Sequence, residues 1–372
     1  MVSKMSRART FADLATASEA GDLGKRNMII NGNMEVAQRG TSQAVTSGGY
    51  YTCDRWGIGL LSSGRFTMSQ ESITDLEGFG KALKLDCTTA DTSIGSTELL
   101  TLNQKFEGQF IQKMQKGFSN AKATTLSFYV KGNASATYVV ELYDTDNSRH
   151  ISKTFSVTTS WNRVSLTFPG DTTGKITADN SRSLDMNIWL HAGSGYNSGS
   201  IQDSWGALNQ AGRATGISSF FDSTDREFFI TGVQFELGEV ATPFEHETFG
   251  DNLARCQRYY FQVGKFPSSS GYGVLGTFAA ADTSSGFTLV DFPVYMRTEP
   301  TFSHSGTASD YSLYITNSHK AGSGGFSASS GDILKHMYVY TEHSGGITAG
   351  DAGHLTTNNN NTDAFLGFSA EL

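Results

Sequence analysis

Asn27-Met28-Ile29-Ile30-Asn31-Gly32-Asn33-Met34-Glu35-Val36-Ala37-Gln38-Arg39-Gly40, followed shortly by Tyr51-Thr52-Cys53-Asp54-Arg55-Trp56, marks where the chain changes character. From Asn27 onward the hydrophobic period is two, the side-chain repeat of a strand. Leu126, Phe128 and Val130 alternate with polar or exposed positions, as do Tyr138, Val140 and Leu142, and then Val164, Leu166 and Phe168. Leu184, Met186, Ile188 and Leu190 alternate with Asp185, Asn187, Trp189 and His191, and Val233, Phe235 and Leu237 alternate with Gln234 and Glu236. Short strands separated by Gly, Asn, Asp and Ser turns, with no long helices between them, predict two packed antiparallel sheets, best fitted by a jelly-roll.

On either side of this span the pattern differs. Residues 1–26 carry Thr10 as a cap before Phe11, Leu14 and Ala15, with Gly21 placed to stop a short helix, too small to bury its own face and so suited to docking on a partner. At Phe249 the alternation breaks, and Asp251 is placed to cap a helix through Leu253, Cys256 or Gln257, and Tyr260, read as a junction over 249–262. Beyond it, Phe287–Phe292, Tyr311–Ile315 and Met337–Tyr340 read as strands of a second, glycine-richer unit. The expectation is an all-β chain: an arm at 1–26, a jelly-roll β-sandwich at 27–248, a linker helix at 249–262, and a smaller β-sandwich-like domain at 263–372.

Composition agrees. In 372 residues, 41 glycines against 5 prolines and a charged fraction of only 17% describe a β-rich protein with many tight turns. The net charge of -8 argues against nucleic-acid binding, which needs a clustered basic surface. Cys53, Cys87 and Cys256 are odd in number and far apart, so neither a disulfide framework nor a zinc site is expected. The N-terminus lacks the apolar core of a secretory signal and no apolar run is long enough to cross a bilayer, which predicts synthesis in the cytoplasm without membrane insertion.

The opening motif resembles that of bacteriophage tail-fibre and virion-appendage proteins, which begin a β-sandwich with Asn-Leu-Ile-x-Asn-Gly-x-Phe/Met-x-x-x-Gln-Arg-Gly and then Tyr-Thr-x-Asp-Arg-Trp. Ile230–Glu245 resembles the closing strand and exit of that sandwich, and Cys256-Gln257-Arg258-Tyr259-Tyr260 the short helix after it. Phe292–Thr301 and the terminal Phe365–Leu372 resemble distal domains of phage fibres. Thr154–Phe168 is similar to a strand pair of carbohydrate-binding modules. The resemblance implies a virion location with release by lysis, a homotrimer, attachment to other virion proteins through the N-terminal arm, and adhesion to a host-surface glycan. A purely architectural capsid or tail decoration protein is the alternative, and a glycan-degrading enzyme is less favoured.

Aromatic side chains facing outward from a jelly-roll sheet can stack on sugar rings while neighbouring Asn, Asp and Gln bind the hydroxyls. Trp189, at the opposite parity to Leu184–Leu190, and Tyr196 and Trp205, in a Gly/Ser/Asn loop, are the candidates. Trp56 shares its parity with Ile58 and Leu60 and reads as core, with Asp54 and Arg55 making structural hydrogen bonds. By resemblance to carbohydrate-binding jelly-rolls, Glu35 and Glu236 are the pair that would help hold a structural calcium; no other cofactor is implied. Asp144–Ser148 starts like a calcium loop, but Arg149 and Phe155 stand where an EF-hand needs glycine and glutamate, so it reads as a hairpin turn. Five of the eight histidines lie scattered in the C-terminal part without metal-ligand spacing. No Gly-x-Ser-x-Gly elbow, phosphate-binding glycine loop or Cys/His constellation appears, and the chain is expected not to be an enzyme.

Overall fold

The computed structural model describes residues 25–266, 271–329, 334–343 and 345–372, so the helix read at Thr10–Gly21 lies outside the described residues. The chain divides into two compact units, 1–247 and 248–372.

The first unit runs β1 (Ser42–Val45), β2 (Gly49–Tyr50), β3 (Gly57–Leu61), β4 (Arg65–Ser72), β5 (Lys81–Thr89), β6 (Leu99–Glu107), β7 (Thr124–Gly132), β8 (Ala136–Asp144), β9 (Arg149–Val157), β10 (Asn162–Phe168), β11 (Arg182–Ala192), α1 (Ser194–Asn197), β12 (Gly206–Ala207) and β13 (Glu227–Leu237). Two sheets form, in the orders β1-β4-β5-β13-β7-β10 and β12-β9-β8-β11-β6-β3-β2. The expected alternation is what joins them. Leu126, Phe128, Val130, Phe228 and Phe235 from the first sheet share one buried core with Leu102, Val140, Leu142, Leu184, Met186, Ile188 and Leu190 from the second. Fully burying one such side chain contributes roughly 1.5–3 kcal/mol, so the stripe of one parity on each strand is enough to hold the sheets face to face.

The opening motif works by pairing with the last strand. Met28 N–H donates to Phe235 O at 2.8 Å, Asn27 Nδ2 to Val233 O at 3.0 Å, and Val233 N–H to Gly32 O at 2.9 Å. A Cβ on Gly32 would lie 2.1 Å from Val233 O, so only glycine lets the two backbones approach. Asn31 sits at φ 60°, its side chain holding Val36 and Asp54 backbone groups, and Trp56 Nε1 donates to Asn31 O at 3.0 Å. Trp56 is fully buried in the core, as its parity predicts, and Asp54 is buried and accepts from Gln38 N–H at 2.9 Å. Residues 145–148 turn β8 into β9, with Asn147 N–H donating to Asp144 Oδ1 at 3.0 Å.

In the second unit, α2 (Phe249–Gln257) is followed by β14 (Tyr260–Gly264), β15 (Val274–Ala280), β16 (Ser285–Asp291), β17 (Thr301–His304), β18 (Tyr311–Ile315), β19 (Ser318–Ser329), β20 (His336–His343), β21 (Ala352–Thr357) and β22 (Phe365–Ser369). The helix cap is Thr248, not Asp251: Thr248 Oγ1 accepts from Asp251 N–H at 3.2 Å and donates to Asp251 Oδ2 at 2.8 Å, which places Asp251 inside the first turn. The helix stops before Tyr260, which starts β14. Where a small sandwich is expected, strands β15-β16-β20-β19-β18-β21 close into a barrel, because β15 pairs with both β16 and β21; β14, β22 and β17 form a separate three-stranded sheet. The barrel's outer surface carries an open apolar groove of about 470 Å³ lined by Thr277, Phe287, Leu289 and Tyr338 among others.

Candidate functional site

The seven-stranded sheet turns its other face away from the core, and that face carries the site. Register fixes which side chains sit side by side. Asp185 of β11 lies opposite Lys105 of β6 and Tyr143 of β8; Asn187 opposite Asn103 and Glu141; Trp189 opposite Thr101 and Val139. On β3 the same rows continue as Gly57 and Gly59. A Cβ at Gly59 would come within 2.6 Å of Thr101 Oγ1, and one at Gly57 within 2.7 Å of Asn103 Oδ1, so β3 offers backbone where a side chain would fill the trough. The result is a cleft of about 300 Å³ whose lining includes Thr101, Asn103, Tyr143, Asp185, Asn187 and Arg213.

Glu141 organises the floor. It is fully buried, yet its carboxylate collects donors: Arg213 Nε and Nη2 at 2.7 and 2.8 Å, Trp189 Nε1 at 3.0 Å and Asn187 Nδ2 at 3.0 Å, with His150 Nδ1 at 3.2 Å. Burial alone would raise its pKa, but the hydrogen bonds from His150 and Arg213, with the guanidinium charge, outweigh it and bring the carboxyl down to about 2. It is therefore a fixed anion that orients Trp189, Asn187 and Arg213. At the cleft's side, Arg182 Nε donates to Asp185 Oδ1 at 2.7 Å. Asn103 is buried, and its Oδ1 has no hydrogen-bond partner among the described residues. A buried acceptor left in this state costs about 1–3 kcal/mol, and a ligand hydroxyl or N–H would satisfy it.

Trp189 lies on the outward face, as its parity implies, but it is only 1% exposed and is not an open platform. The segment 193–217 folds over it: the Arg213 guanidinium sits 4.9 Å from its ring centroid, Tyr196 packs at 5.2 Å, and Val139, Ala192 and Ala214 complete a small second core. Trp189 is thus buried framework beneath the cleft, and Tyr196, half-buried on α1, is part of its cover. Trp205 is not a free loop side chain either; it packs against the main core, and its Nε1 donates to Pro169 O at 2.9 Å. The structure does not bring the three aromatics together as a stacking surface. Two aromatics, Tyr143 and Trp189, border the cleft, and of these Tyr143 is half-buried while Trp189 is buried. Glu141, Tyr143, Asn103 and Arg213 were missed by sequence reasoning; for Glu141 and Tyr143 the signal is their parity, opposite to Tyr138, Val140 and Leu142.

Glu35 and Glu236 do not fit a shared calcium. Glu35 is exposed, whereas Glu236 is buried with Oε1 accepting from Gln234 Nε2 and Thr242 N–H, both at 2.8 Å, and Oε2 from Thr242 Oγ1 at 2.6 Å. Donors already aimed at a carboxylate leave little of it for a hard cation. Glu236 instead pins the exit segment to β13. Among the described residues, no helix is long and apolar enough to cross a membrane.

No protein-family model matches the chain, and none of the curated proteins matches it. Among solved structures, a CBM4 module aligns with 56% of this chain and 98% of its own at 11% identity and a TM-score of 0.31. The enzymatically active domain of bacteriophage CBA120 tailspike protein 4 aligns at 11% identity and a TM-score of 0.31, over 57% of this chain and 22% of that chain. A family 11 carbohydrate-binding module from Clostridium thermocellum, in complex with a β-1,3-1,4-mixed-linked tetrasaccharide, aligns with 55% of this chain and 98% of its own at 11% identity and a TM-score of 0.27.

Proposed function

We propose that the first unit binds a glycan in the cleft of its seven-stranded sheet, and that the chain is a phage virion appendage, a tail fibre or fibre-like protein, acting by adhesion to host-surface polysaccharide. The observation that carries the reading is the unpartnered, buried Asn103 Oδ1 facing a trough of amides, charges and one tyrosine. Sugar hydroxyls are donors and acceptors at once, and Asn103, Asn187, Thr101 and Asp185 offer both. Tyr143 supplies the ring face for a pyranose. The resemblance of the opening and closing motifs supports the virion location. Binding without cleavage fits Glu141, since a glycosidase acid needs a raised pKa and this carboxyl is held near 2. Single contacts of this kind are weak, so display as a homotrimer in several copies per particle is part of the proposal.

The test is saturable binding of the fluorescently labelled full chain to an array of bacterial surface polysaccharides, for wild type and Asn103→Ala. We expect at least one glycan to bind and Asn103→Ala to weaken it tenfold or more with an unchanged circular dichroism spectrum. Binding that Asn103→Ala leaves intact would sink the cleft assignment. The architectural reading is favoured by one observation, the open apolar groove on the barrel of the second unit, a surface of the kind proteins bury in contacts. It gains if no polysaccharide binds.

A further inference from the structure

Away from the cleft's polar rows, three side chains meet at one end of the seven-stranded sheet. Asp91 and Glu98 come from the segment joining β5 to β6 and His191 from the end of β11, and one ligand atom of each lies within 4.8 Å of the others. His191 is fully buried and Asp91 nearly so. His191 Nδ1 lies 2.8 Å from Ser219 Oγ, an oxygen that also accepts Phe221 N–H at 3.0 Å. The other ring nitrogen, Nε2, stands 3.5 Å from Glu98 Oε2 without a hydrogen bond, and both atoms are buried and unpartnered among the described residues. Asp91 is held from behind, its Oδ2 accepting from Ser62 Oγ at 2.7 Å and Ser63 N–H at 3.0 Å.

In the tautomer that donates Nδ1–H to Ser219 Oγ, the Nε2 lone pair faces the Asp91 and Glu98 carboxylates in a buried pocket, and three acceptors turned on one another repel. A cation held between the three acceptors relieves that repulsion. A metal ion meets the same need with a neutral ring. Ser219 then plays the part of the outer partner that fixes a ligating histidine's tautomer.

We propose that Asp91, Glu98 and His191 bind one divalent first-row transition ion of the Zn²⁺ or Mn²⁺ kind. One imidazole with two carboxylates suits those ions, whereas calcium prefers oxygen ligands throughout. Two carboxylates neutralise the ion's charge. The ion ties the segment before β6 to the end of β11, the strands that carry Thr101 and Trp189. The site is independent of what the cleft binds.

The experiment strips the full chain with EDTA and titrates it separately with ZnCl₂, MnCl₂ and CaCl₂, following heat of binding and thermal unfolding. Zn²⁺ or Mn²⁺ is expected to bind at one per chain and raise the unfolding temperature. His191→Gln should lose at least tenfold in affinity, and so should Glu98→Gln. The histidine is buried and its variant can misfold, so Glu98→Gln, whose side chain is 18% exposed, decides the matter once its circular dichroism matches wild type. The proposal is overturned if neither transition ion binds stoichiometrically, if calcium binds in preference to both, or if a folded Glu98→Gln binds as wild type does.

Discussion

Replacing Glu141 by glutamine removes one buried charge from the floor of the cleft while barely changing its volume. The wild-type carboxylate faces Arg213, Trp189, Asn187 and His150. A glutamine presents one oxygen to those donors and turns its own NH₂ towards the rest, and it leaves the Arg213 guanidinium, 14% exposed, without a counter-charge. Breaking a buried pair in this way costs about 3–5 kcal/mol. The pKa gives an independent measure. The carboxyl falls from 4.5 to about 2, and at roughly 1.36 kcal/mol per unit that is about 3 kcal/mol, undiscounted because the group is fully buried. The sign follows from the direction: a depressed folded pKa gives stability that is present above the unfolded value near 4.5 and is lost as pH falls through about 2. The assay is urea unfolding of wild type and Glu141→Gln from pH 7 down to pH 2. Wild type should lose about 3 kcal/mol between pH 4.5 and 2 beyond what the variant loses, and the two curves should converge at the acid end. A loss below about 1 kcal/mol at pH 7, within the range of an ordinary surface change, or parallel acid limbs, would refute the account of Glu141 as a buried anion.

Two further outcomes are expected. Lys116 is buried with Asp144 and Asp171, its Nζ 3.0 Å from Asp171 Oδ2 and 3.1 Å from the carbonyls of Thr173 and Gly174; Lys116→Met should cost about 3–5 kcal/mol in denaturant unfolding of the first unit, because two carboxylates lose their shared cation. Thr248→Ala removes the cap of α2 and should lower the stability of the second unit by about 1 kcal/mol, read from tryptophan-independent probes such as amide exchange of the β14–β22 pairing; no change would place the cap elsewhere.

Much of the sandwich was legible because its strands alternate strictly. Leu126, Phe128 and Val130, or Leu184 to Leu190, declare one buried face each, and a one-residue slip would expose the whole set. The same parity put Trp189 on the other face. It gave no warning that this face is covered too, since the cover depends on Arg213 reaching back to Glu141 across 72 residues. Sequence alternation reports which side of a strand a residue takes, not what packs on that side. The cap of α2 was misplaced by the same limit at short range: Thr248 and Asp251 are both good cap residues, and only the backbone path chose between them.

The sequence by itself determined the all-β class, the two-sheet core, the burial of Trp56 and the hairpin at Asp144, because each depends on local period or turn chemistry. Tertiary structure alone decided the closure of the second unit's barrel, the cleft built from β6, β8 and β11, and the meeting of Asp91 and Glu98 with His191 about a hundred residues later in the chain. Those features arise where strands distant in sequence become neighbours through hydrogen-bond register, and register is set by the whole sheet rather than by any one of its strands.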